Sequence, residues 1–430
     1  MLFRSSFKKV VLVSLGDGSS TNREVFLAFA KALKRCKDAS AAVTEIFLDN
    51  AAEITHDPEM AKKIMELPHL VSYQFNHYRS VPVVNGMEEA AVVTSAAGME
   101  RLAREAAHVA ESTLLARDLV NHPSMFMDPE QLAKECEALA EDLGIEVQIY
   151  DKKQAEEMNM GAFLAVGRGS AAEPRLIVLR YKGGKEEEPP VALVGKGIMF
   201  DSGGYSLKSR METMHGDMGG AAAVIGAIRA IALEKLPVNV IAVVAACKNM
   251  ISGDAYVPGD ILFSMNGKKI EMLNSDAEGR LTLADALTYA IRKENAGSII
   301  DIATLTGAAQ GAVGVRSSAV FSNDEELYAE VEEASERACE KIWRLPLDKE
   351  LFPVIESEVA DIQNSAQGST MGGGAIVAGL FLQEFVEDHS WVHVDIAPVS
   401  WESKDIDYSI KGATGYGVSL LYETVKVISR

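Results

Sequence analysis

The sequence has few of the residues that build the commonest metal and disulfide sites. Histidine is scarce, with eight residues in 430, so a zinc site built on imidazole ligands is not expected. The four cysteines are widely separated and form no CxxC pair, which excludes a zinc finger and predicts free thiols in a reducing compartment: Cys36, Cys136, Cys247 and Cys339. Any metal must therefore be held mainly by oxygen ligands.

Positive charge and long apolar runs are also limited. The chain has 42 Lys and Arg against 62 Asp and Glu, a formal net charge of -20, and a surface of this sign repels polyanions such as DNA. Nucleic acid is therefore not expected as the main partner, whereas metal cations are compatible. No apolar stretch approaches the roughly 20 residues that span a bilayer, and no signal peptide is recognisable. We expect a cytoplasmic location without membrane association.

The first hundred residues alternate strand and helix patterns. Apolar runs at 8–15 and 41–48 predict strands, and between them a helix is expected over 22–36, with Asn22 placed to cap it. This alternation predicts a small N-terminal α/β domain.

A long helical pattern follows, and it marks the expected domain boundary. It covers about 98–120, is rich in Ala, Glu, Leu and Arg, and ends at Asn121-His122-Pro123. At 430 residues the chain is long for one domain. We therefore expect an N-terminal α/β domain over 1–112, including most of this connecting helix, and a catalytic domain over 113–430.

Beyond the connecting helix, strand and helix patterns alternate more regularly. We expect strands over 175–181, 190–194, 238–246 and 298–304, and helices over 221–235 and 281–292. Continuous apolar strands between helices predict a mostly parallel central sheet flanked by helices. Ligands of such sheets bind beyond the carboxyl ends of the strands, so the polar residues there form the candidate site.

Carboxylates and cations cluster at these strand ends. The cations are Lys196, Lys208 and Arg280, and the carboxylates are Asp201, Asp217, Asp276 and Glu278. Four carboxylates brought together raise one another's pKa values, and two divalent cations would balance their charge. Oxygen-rich ligation suits manganese, magnesium or zinc. The pattern therefore favours a two-metal site.

Each signal also has a purely structural interpretation. Asp201-Ser-Gly-Gly is a good turn, and Asp217 alone is more typical of a helix N-cap. Asp276 and Glu278 would favour the dipole of the helix that follows them. Lys196 after a strand is usually a solvated charge. The metal-site hypothesis depends on the convergence of these signals at one edge of the sheet.

Several segments resemble signatures of the leucyl aminopeptidase family of dinuclear metallopeptidases. The clearest are VGKGIMFDSGG at 194–204 and NSDAEGR at 274–280, and similar segments lie at 301–307, 393–397 and 411–417. The similarity covers roughly residues 115–425. It implies an aminopeptidase that releases N-terminal, leucine-like amino acids from peptides with a free amine. Two metal ions, manganese or zinc, would activate a bridging water.

The resemblance implies a role for each charged residue. Lys208 would polarise the scissile carbonyl and stabilise the gem-diolate, and Arg280 would hold a bicarbonate that acts as general base. An ammonium has no lone pair, so Lys196 would need a lowered pKa to bind metal, while Lys208 would stay charged and stand off from the metals. Asp201 and Glu278 would bridge the two ions, and the full ligand set would be Lys196, Asp201, Asp217, Asp276 and Glu278.

A substrate pocket and an assembly are implied as well. The family forms hexamers, so a homohexamer is expected. The segment between Lys208 and Asp217 is shorter than is usual in the family, which affects the second metal and the pocket. The pocket residues would be Met214, Thr304, Leu305, Gly307 and Ala397. Two alternatives stay open: a catalytically silent relative that binds peptide, nucleotide or DNA, and a specialised dipeptidase or amidase.

Overall fold

The computed structural model describes residues 11–14, 20–49, 57–84, 86–365 and 370–430. The chain divides into two compact units, Met1–Glu111 with Lys404–Lys411, and Ser112–Ser403 with Gly412–Arg430. Part of the strand predicted at 8–15 lies outside the described residues, and residues 11–14 have no regular structure.

The described residues of the first unit form two strands and two complete helices. Strands β1 (Val43–Phe47) and β2 (Glu89–Val93) pair in parallel. The helices are α1 (Asn22–Asp38) and α2 (Pro58–Ser72), and helix α3 (Met99–Asn121) contains the division between the units.

Helix α1 begins at a capping box. The Thr21 side chain accepts a hydrogen bond from the Glu24 backbone N–H, and the Glu24 carboxylate accepts one from the Thr21 backbone N–H. The cap is therefore Thr21, and the prediction of Asn22 is wrong by one residue. Phe26 on this helix packs edge-on against Tyr408, with ring centroids 5.3 Å apart.

The second unit is built on an eight-stranded sheet. It also contains a three-stranded sheet and an antiparallel pair of short strands. Its strands are β3 (Glu146–Tyr150), β4 (Arg175–Lys182), β5 (Val191–Asp201), β6 (Asn239–Asn249), β7 (Asp260–Phe263), β8 (Lys269–Met272), β9 (Ser298–Ala303), β10 (Ser318–Ser322), β11 (Ile342–Arg344), β12 (Ile362–Gln363), β13 (Ser390–Asp395), β14 (Trp401–Glu402) and β15 (Gly412–Ala413). The large sheet has the order β11-β10-β13-β9-β5-β6-β4-β3, the three-stranded sheet has the order β12-β8-β7, and the short pair is β14 and β15.

The central part of the large sheet is parallel, as expected. Strands β13, β9, β5 and β6 pair in parallel. Towards the edges the pairings β10–β13, β4–β6 and β3–β4 are antiparallel, and the outermost pair β10–β11 is parallel. The sheet is therefore more mixed than the sequence predicts. The α/β class, with an N-terminal domain and a larger catalytic domain built on a central sheet, is confirmed.

Helices connect these strands and cover the sheet. They are α4 (Pro129–Leu143), α5 (Lys152–Glu157), α6 (Gly161–Gly167), α7 (Gly219–Glu234), α8 (Gly279–Arg292), α9 (Gly307–Val313), α10 (Glu325–Ala338), α11 (Gly374–Gln383) and α12 (Val418–Ile428), with 3-10 turns at Met214–Met218 and Lys349–Ile355. In α8 every residue from Gly279 to Ile291 is buried. The loop ahead of α8 is thus anchored to a rigid core element.

Helix α7 and the turn before it are unusually apolar. The run Met214–Glu234 is long and apolar enough to cross a membrane by length and composition. However, 67% of its most apolar stretch is buried inside the fold. A helix in the core of a protein can have the same length and apolar composition.

Candidate metal centre

Strand β5 carries two of the candidate residues, and it is longer than predicted. It continues past Val194 to Asp201, so Lys196 lies within the strand, 2% exposed, and is not a solvated charge at its end. Lys196 and Asp201 are five residues apart, and regular alternation would direct them to opposite faces. The pairing register with β6 shifts between Ile198 and Asp201, and such an irregularity lets both side chains turn to one face.

The remaining carboxylates lie just ahead of two helices. Asp217 belongs to the 3-10 turn that leads into α7, and Met218, without a side-chain cap bond, occupies the N-cap position. The N-cap interpretation of Asp217 is therefore wrong. Asp276 lies in the loop that joins β8 to α8, and Glu278 immediately precedes that helix.

Lys196 lies between two of these carboxylates. Its ammonium is 2.8 Å from Asp217 Oδ1 and 2.9 Å from Glu278 Oε1. It also donates to the carbonyl oxygen of Thr304 at 2.9 Å, and the Thr304 hydroxyl donates to Asp217 Oδ1 at 2.7 Å. The end of β9 is thus tied to the charged cluster.

Gly279 leaves the space that Lys196 occupies. A Cβ atom at position 279 would lie 2.5 Å from Lys196 Cε and 2.7 Å from Nζ, closer than real Cβ contacts allow. The first residue of α8 must therefore be glycine for the lysine to keep this position.

Lys208 makes the matching contacts on the other side of the cluster. Its ammonium is 2.7 Å from Asp201 Oδ2 and 2.5 Å from Asp276 Oδ1. The sequence suggests a lysine that stands apart from the centre, whereas here it pairs directly with two of the proposed ligands. Asp201 Oδ1 in turn accepts from the backbone N–H of Gly203 and from the Asn249 side-chain amide.

The electrostatics of the cluster show an excess of negative charge. Burial alone lowers the pKa of Lys196 and Lys208, but the neighbouring carboxylates outweigh it and raise both pKa values. Burial raises the pKa of Asp217 and of Glu278, and the charge of Asp201 reinforces both shifts. Burial is thus the larger cause of the carboxylate shifts, and repulsion among the four carboxylates adds to it, whereas attraction to those carboxylates raises the pKa of both lysines. A lowered pKa of Lys196 is expected only with metal cations bound beside it, and it stays a prediction.

The donor set suits divalent cations. One oxygen each from Asp201, Asp276 and Glu278 lie within 4.8 Å of one another. Asp217 Oδ2 and Glu278 Oε2 are buried and have no hydrogen-bond partner among the described residues. Buried carboxylate oxygens without partners are costly unless a cation completes them. The residues present therefore match the predicted oxygen-rich metal site.

Arg280 follows the loop of Asp276 and Glu278 but, within the described part of the chain, forms no ion pair with the cluster. The residue is 8% exposed, and its Nε is buried without a partner among the described residues. Its guanidinium lies over the Phe381 ring, 5.8 Å from the centroid. Burial lowers the pKa of Arg280 to about 10. A buried guanidinium with an unpartnered donor is suited to hold an anion.

The predicted pocket residues lie on the turn before α7 and on the loops after β9 and β13. Thr304 contacts the charged cluster directly, and Met214 begins the 3-10 turn that contains Asp217. Leu305 and Ala397 are both held by Asp395, and Gly307 is exposed at the start of α9.

Asp395 is a residue that the sequence analysis did not select. Its Oδ1 accepts from the backbone N–H groups of Leu305 and Ala397, each at 3.1 Å, and its Oδ2 accepts from the Thr306 hydroxyl at 2.7 Å. One buried carboxylate therefore links the loop after β9 to the loop after β13. Asp395 ends strand β13 and lies within the segment 393–397 that resembles the family, so both its position and that segment were available signals.

Asn249 was also missed. Its side-chain amide donates to Asp201 Oδ1 and to the Ser275 carbonyl oxygen, each at 2.8 Å. It thus connects the end of β5 with the loop that carries Asp276. Asn249 ends strand β6. Because ligands bind beyond the carboxyl ends of parallel strands, its position could have marked it as a site residue.

Comparisons with known proteins identify one family. The sequence pattern of the cytosol aminopeptidase family matches residues 114–422 with its catalytic domain and residues 2–82 with its N-terminal domain. A probable cytosol aminopeptidase of Clostridium perfringens is 46% identical over 97% of this chain and 86% of its own length. One from Alkaliphilus oremlandii is 41% identical over 100% and 87%.

Two solved structures are also similar to this chain. The bottromycin maturation enzyme BotP superposes with a TM-score of 0.86 at 36% identity, covering 96% of this chain and 88% of that one. Its complex with Mn superposes with a TM-score of 0.85 at 35% identity, covering 96% and 89%.

Proposed function

Because this chain belongs to the cytosol aminopeptidase family and is a metal-dependent peptide hydrolase, we propose that it releases leucine-like amino acids from peptide N-termini. The observation that carries the proposal is the buried cluster of four carboxylates around two lysines. We propose two divalent ions, manganese or zinc, with Asp201 and Glu278 shared between them. The ligand set is Lys196, Asp201, Asp217, Asp276 and Glu278.

Bound there, two such ions would supply Lewis acidity and a nucleophilic water at neutral pH. Lys196 can join the ligands only as a neutral amine. The carboxylates that now hold its ammonium are the ones that would hold the cations. Cations bound to these carboxylates would offset the negative charge that raises the pKa of Lys196.

We propose that the free amine of a substrate binds, in its neutral form, to one of the metal ions at the accessible edge of the cluster. Asp276 lies at this edge, with 33% of its side chain accessible, against 3% for Asp201 and 2% for Glu278. The nitrogen of an internal peptide bond shares its lone pair with the carbonyl group and is a poor metal ligand. Such a site would therefore remove residues from the amino end only.

We propose that Lys208 acts on the substrate carbonyl. It is less buried than Lys196, with 22% of its side chain exposed against 3%, and its ammonium is charged. A cation at the accessible edge stabilises negative charge that develops on the carbonyl oxygen. The loop of Thr304, Leu305 and Gly307, with Met214 and Ala397, would accept the first side chain.

The direct test is hydrolysis of leucine p-nitroanilide by the full chain. We expect activity that a chelator removes and that added manganese or zinc restores. The N-acetylated anilide is the matched control, because it lacks the free amine and should not be cleaved. Absence of turnover with every metal would reject the proposal and favour a catalytically silent relative.

Replacement of Arg280 by alanine should slow turnover by about 10²-fold, a common loss when a charge-positioning group is removed. We propose that Arg280 holds a bicarbonate as general base, since its buried Nε has no protein partner among the described residues. Metal content, measured by mass spectrometry of the dialysed protein, should stay at the wild-type level. Loss of metal from the variant would instead assign Arg280 a structural role.

A second candidate function is hydrolysis of one specialised peptide. It is favoured by the similarity to BotP, an enzyme of bottromycin maturation. A panel of dipeptides and longer peptides separates the two candidates. Broad cleavage of leucine-like N-termini supports the general aminopeptidase, and cleavage confined to one sequence supports the specialised enzyme.

We propose a cytoplasmic homohexamer, on the basis of the family resemblance. The names of the similar proteins support the location. Light scattering should give six times the chain mass of 46.3 kDa. A monomeric mass would contradict the proposed assembly without affecting the proposed chemistry.

A further inference from the structure

Asn364 holds the loop that carries two of the proposed metal ligands. Its side-chain oxygen accepts from the backbone N–H of Leu273 at 2.9 Å and of Asn274 at 3.3 Å. Its side-chain nitrogen donates to the carbonyl oxygens of Asn274 at 2.8 Å and Ala277 at 3.2 Å. These bonds hold the backbone on both sides of Asp276 and up to the residue before Glu278.

The position of Asn364 is itself fixed by strand pairing. It follows β12, which pairs in parallel with β8, and its backbone N–H donates to the Glu271 carbonyl oxygen at 3.0 Å. Strand β8 leads directly into the ligand loop. A segment about ninety residues later in the chain therefore lies alongside the strand and then along the loop that follows it.

The chemistry of this contact requires an amide. An asparagine side chain offers an oxygen with two lone pairs and a nitrogen with two N–H donors, and all four are used here. Asn364 is 0% exposed, so loss of either half leaves buried backbone groups without partners. Aspartate has the same size but supplies no donor for the carbonyls of Asn274 and Ala277.

We propose that Asn364 is a positioning residue that sets the spacing of the Asp276 and Glu278 carboxylates and thereby the metal affinity of the site. This rests on the proposed function only in treating those two carboxylates as metal ligands. Residues that orient metal ligands typically change metal affinity or activity by about 10–100-fold when they are replaced. Asn364 contacts the loop backbone, so its effect should fall on metal binding and not on binding of the substrate side chain.

The test is a titration of the metal-free full-length chain with manganese alone, followed by calorimetry. We expect Asn364→Asp and Asn364→Ser each to weaken metal binding by about 10-fold or more. In the leucine anilide assay, excess metal should restore kcat largely, with KM little changed. Circular dichroism of the metal-free variants at the titration temperature should show folded protein, since bound metal would also rescue a merely destabilised fold.

Asn239→Asp is the matched control. The Asn239 side chain also bridges backbone groups, donating to the carbonyl oxygens of Lys185 and Glu188 and accepting from the Gly184 N–H. It lies at the start of β6, whereas the metal centre lies at the other end of that strand. Its variant should bind manganese as the wild type does.

Wild-type metal affinity in both Asn364 variants would overturn the inference. If Asn364→Asp does not fold, the serine variant decides alone, because its smaller side chain introduces no buried charge. If the wild type binds manganese but hydrolyses no peptide, the proposed activity fails while the metal titration still tests Asn364.

Discussion

Replacing Glu278 with glutamine is expected to abolish turnover while the protein stays folded. The change removes one of the two carboxylates that we propose to be shared between the metals, without a change of shape. Glu278 is 2% exposed and lies 2.9 Å from the Lys196 ammonium. We expect turnover of leucine anilide to fall by about 10³-fold or more, a scale known for single groups that stabilise charge in an active site.

The metal-free Glu278→Gln variant, in contrast, should be at least as stable as the metal-free wild type. Four buried or half-buried carboxylates share two ammonium groups, so neutralising one of them relieves repulsion in the folded state. The unfolding midpoint of metal-free Glu278→Gln should therefore be no lower than that of the wild type. Metal analysis after dialysis should show fewer than two ions per chain.

Glu294→Gln provides the control for the same chemical change. Glu294 follows the helix that Glu278 precedes, and it pairs with Arg180 through contacts of 2.5 and 2.7 Å. We expect this variant to keep wild-type turnover and metal content. Wild-type turnover in Glu278→Gln itself would show that the metal assignment is wrong.

The class of the fold was predictable because its signals are local in the chain. Apolar strands such as 238–246 and helices such as 281–292 each carry their own periodicity. Their carboxyl ends meet at one edge of a parallel sheet, so acidic residues at several ends converge. This reasoning brings Asp201, Asp217 and Glu278 together without any knowledge of their contacts.

The position of Lys196 shows where such reasoning fails. Apolar periodicity ends at Val194, yet β5 continues to Asp201, since the buried lysine finds its charge partners in the cluster. The register shift that lets Lys196 and Asp201 share a face arises from pairing with β6. Neither effect is visible in the sequence of the strand itself.

Residues that hold the site from a distance were the hardest to predict. Asn364 and Asp395 bind loops about ninety residues away in the chain, through backbone groups that any residue possesses. A single asparagine or aspartate is ordinary in a loop, and nothing in its neighbours specifies a distant partner. Such contacts follow from the complete fold and not from local pattern.

Gly279→Ala is expected to reduce turnover by about 10²-fold, although alanine is the better helix former. The new Cβ would lie 2.5 Å from Lys196 Cε and 2.7 Å from its Nζ, so the lysine must move. Its ammonium is held by Asp217, Glu278 and the Thr304 carbonyl, and a displacement of about 1 Å at a reacting centre costs rate on this scale. Steady-state kinetics and manganese titration measure the two consequences.

Gly311→Ala separates this clash from the general effect of adding a methyl group to a helix. A Cβ at position 311, within α9, meets no atom within 4 Å, so this variant should keep wild-type turnover. In both helices alanine is intrinsically favoured over glycine, by about 1 kcal/mol. A Gly279→Ala variant with normal turnover and metal affinity would mean that Lys196 tolerates displacement, and it would remove Lys196 from the proposed ligands. If Gly279→Ala loses turnover and metal affinity while Gly311→Ala keeps both, the catalytic centre depends on the close approach of α8 and β5.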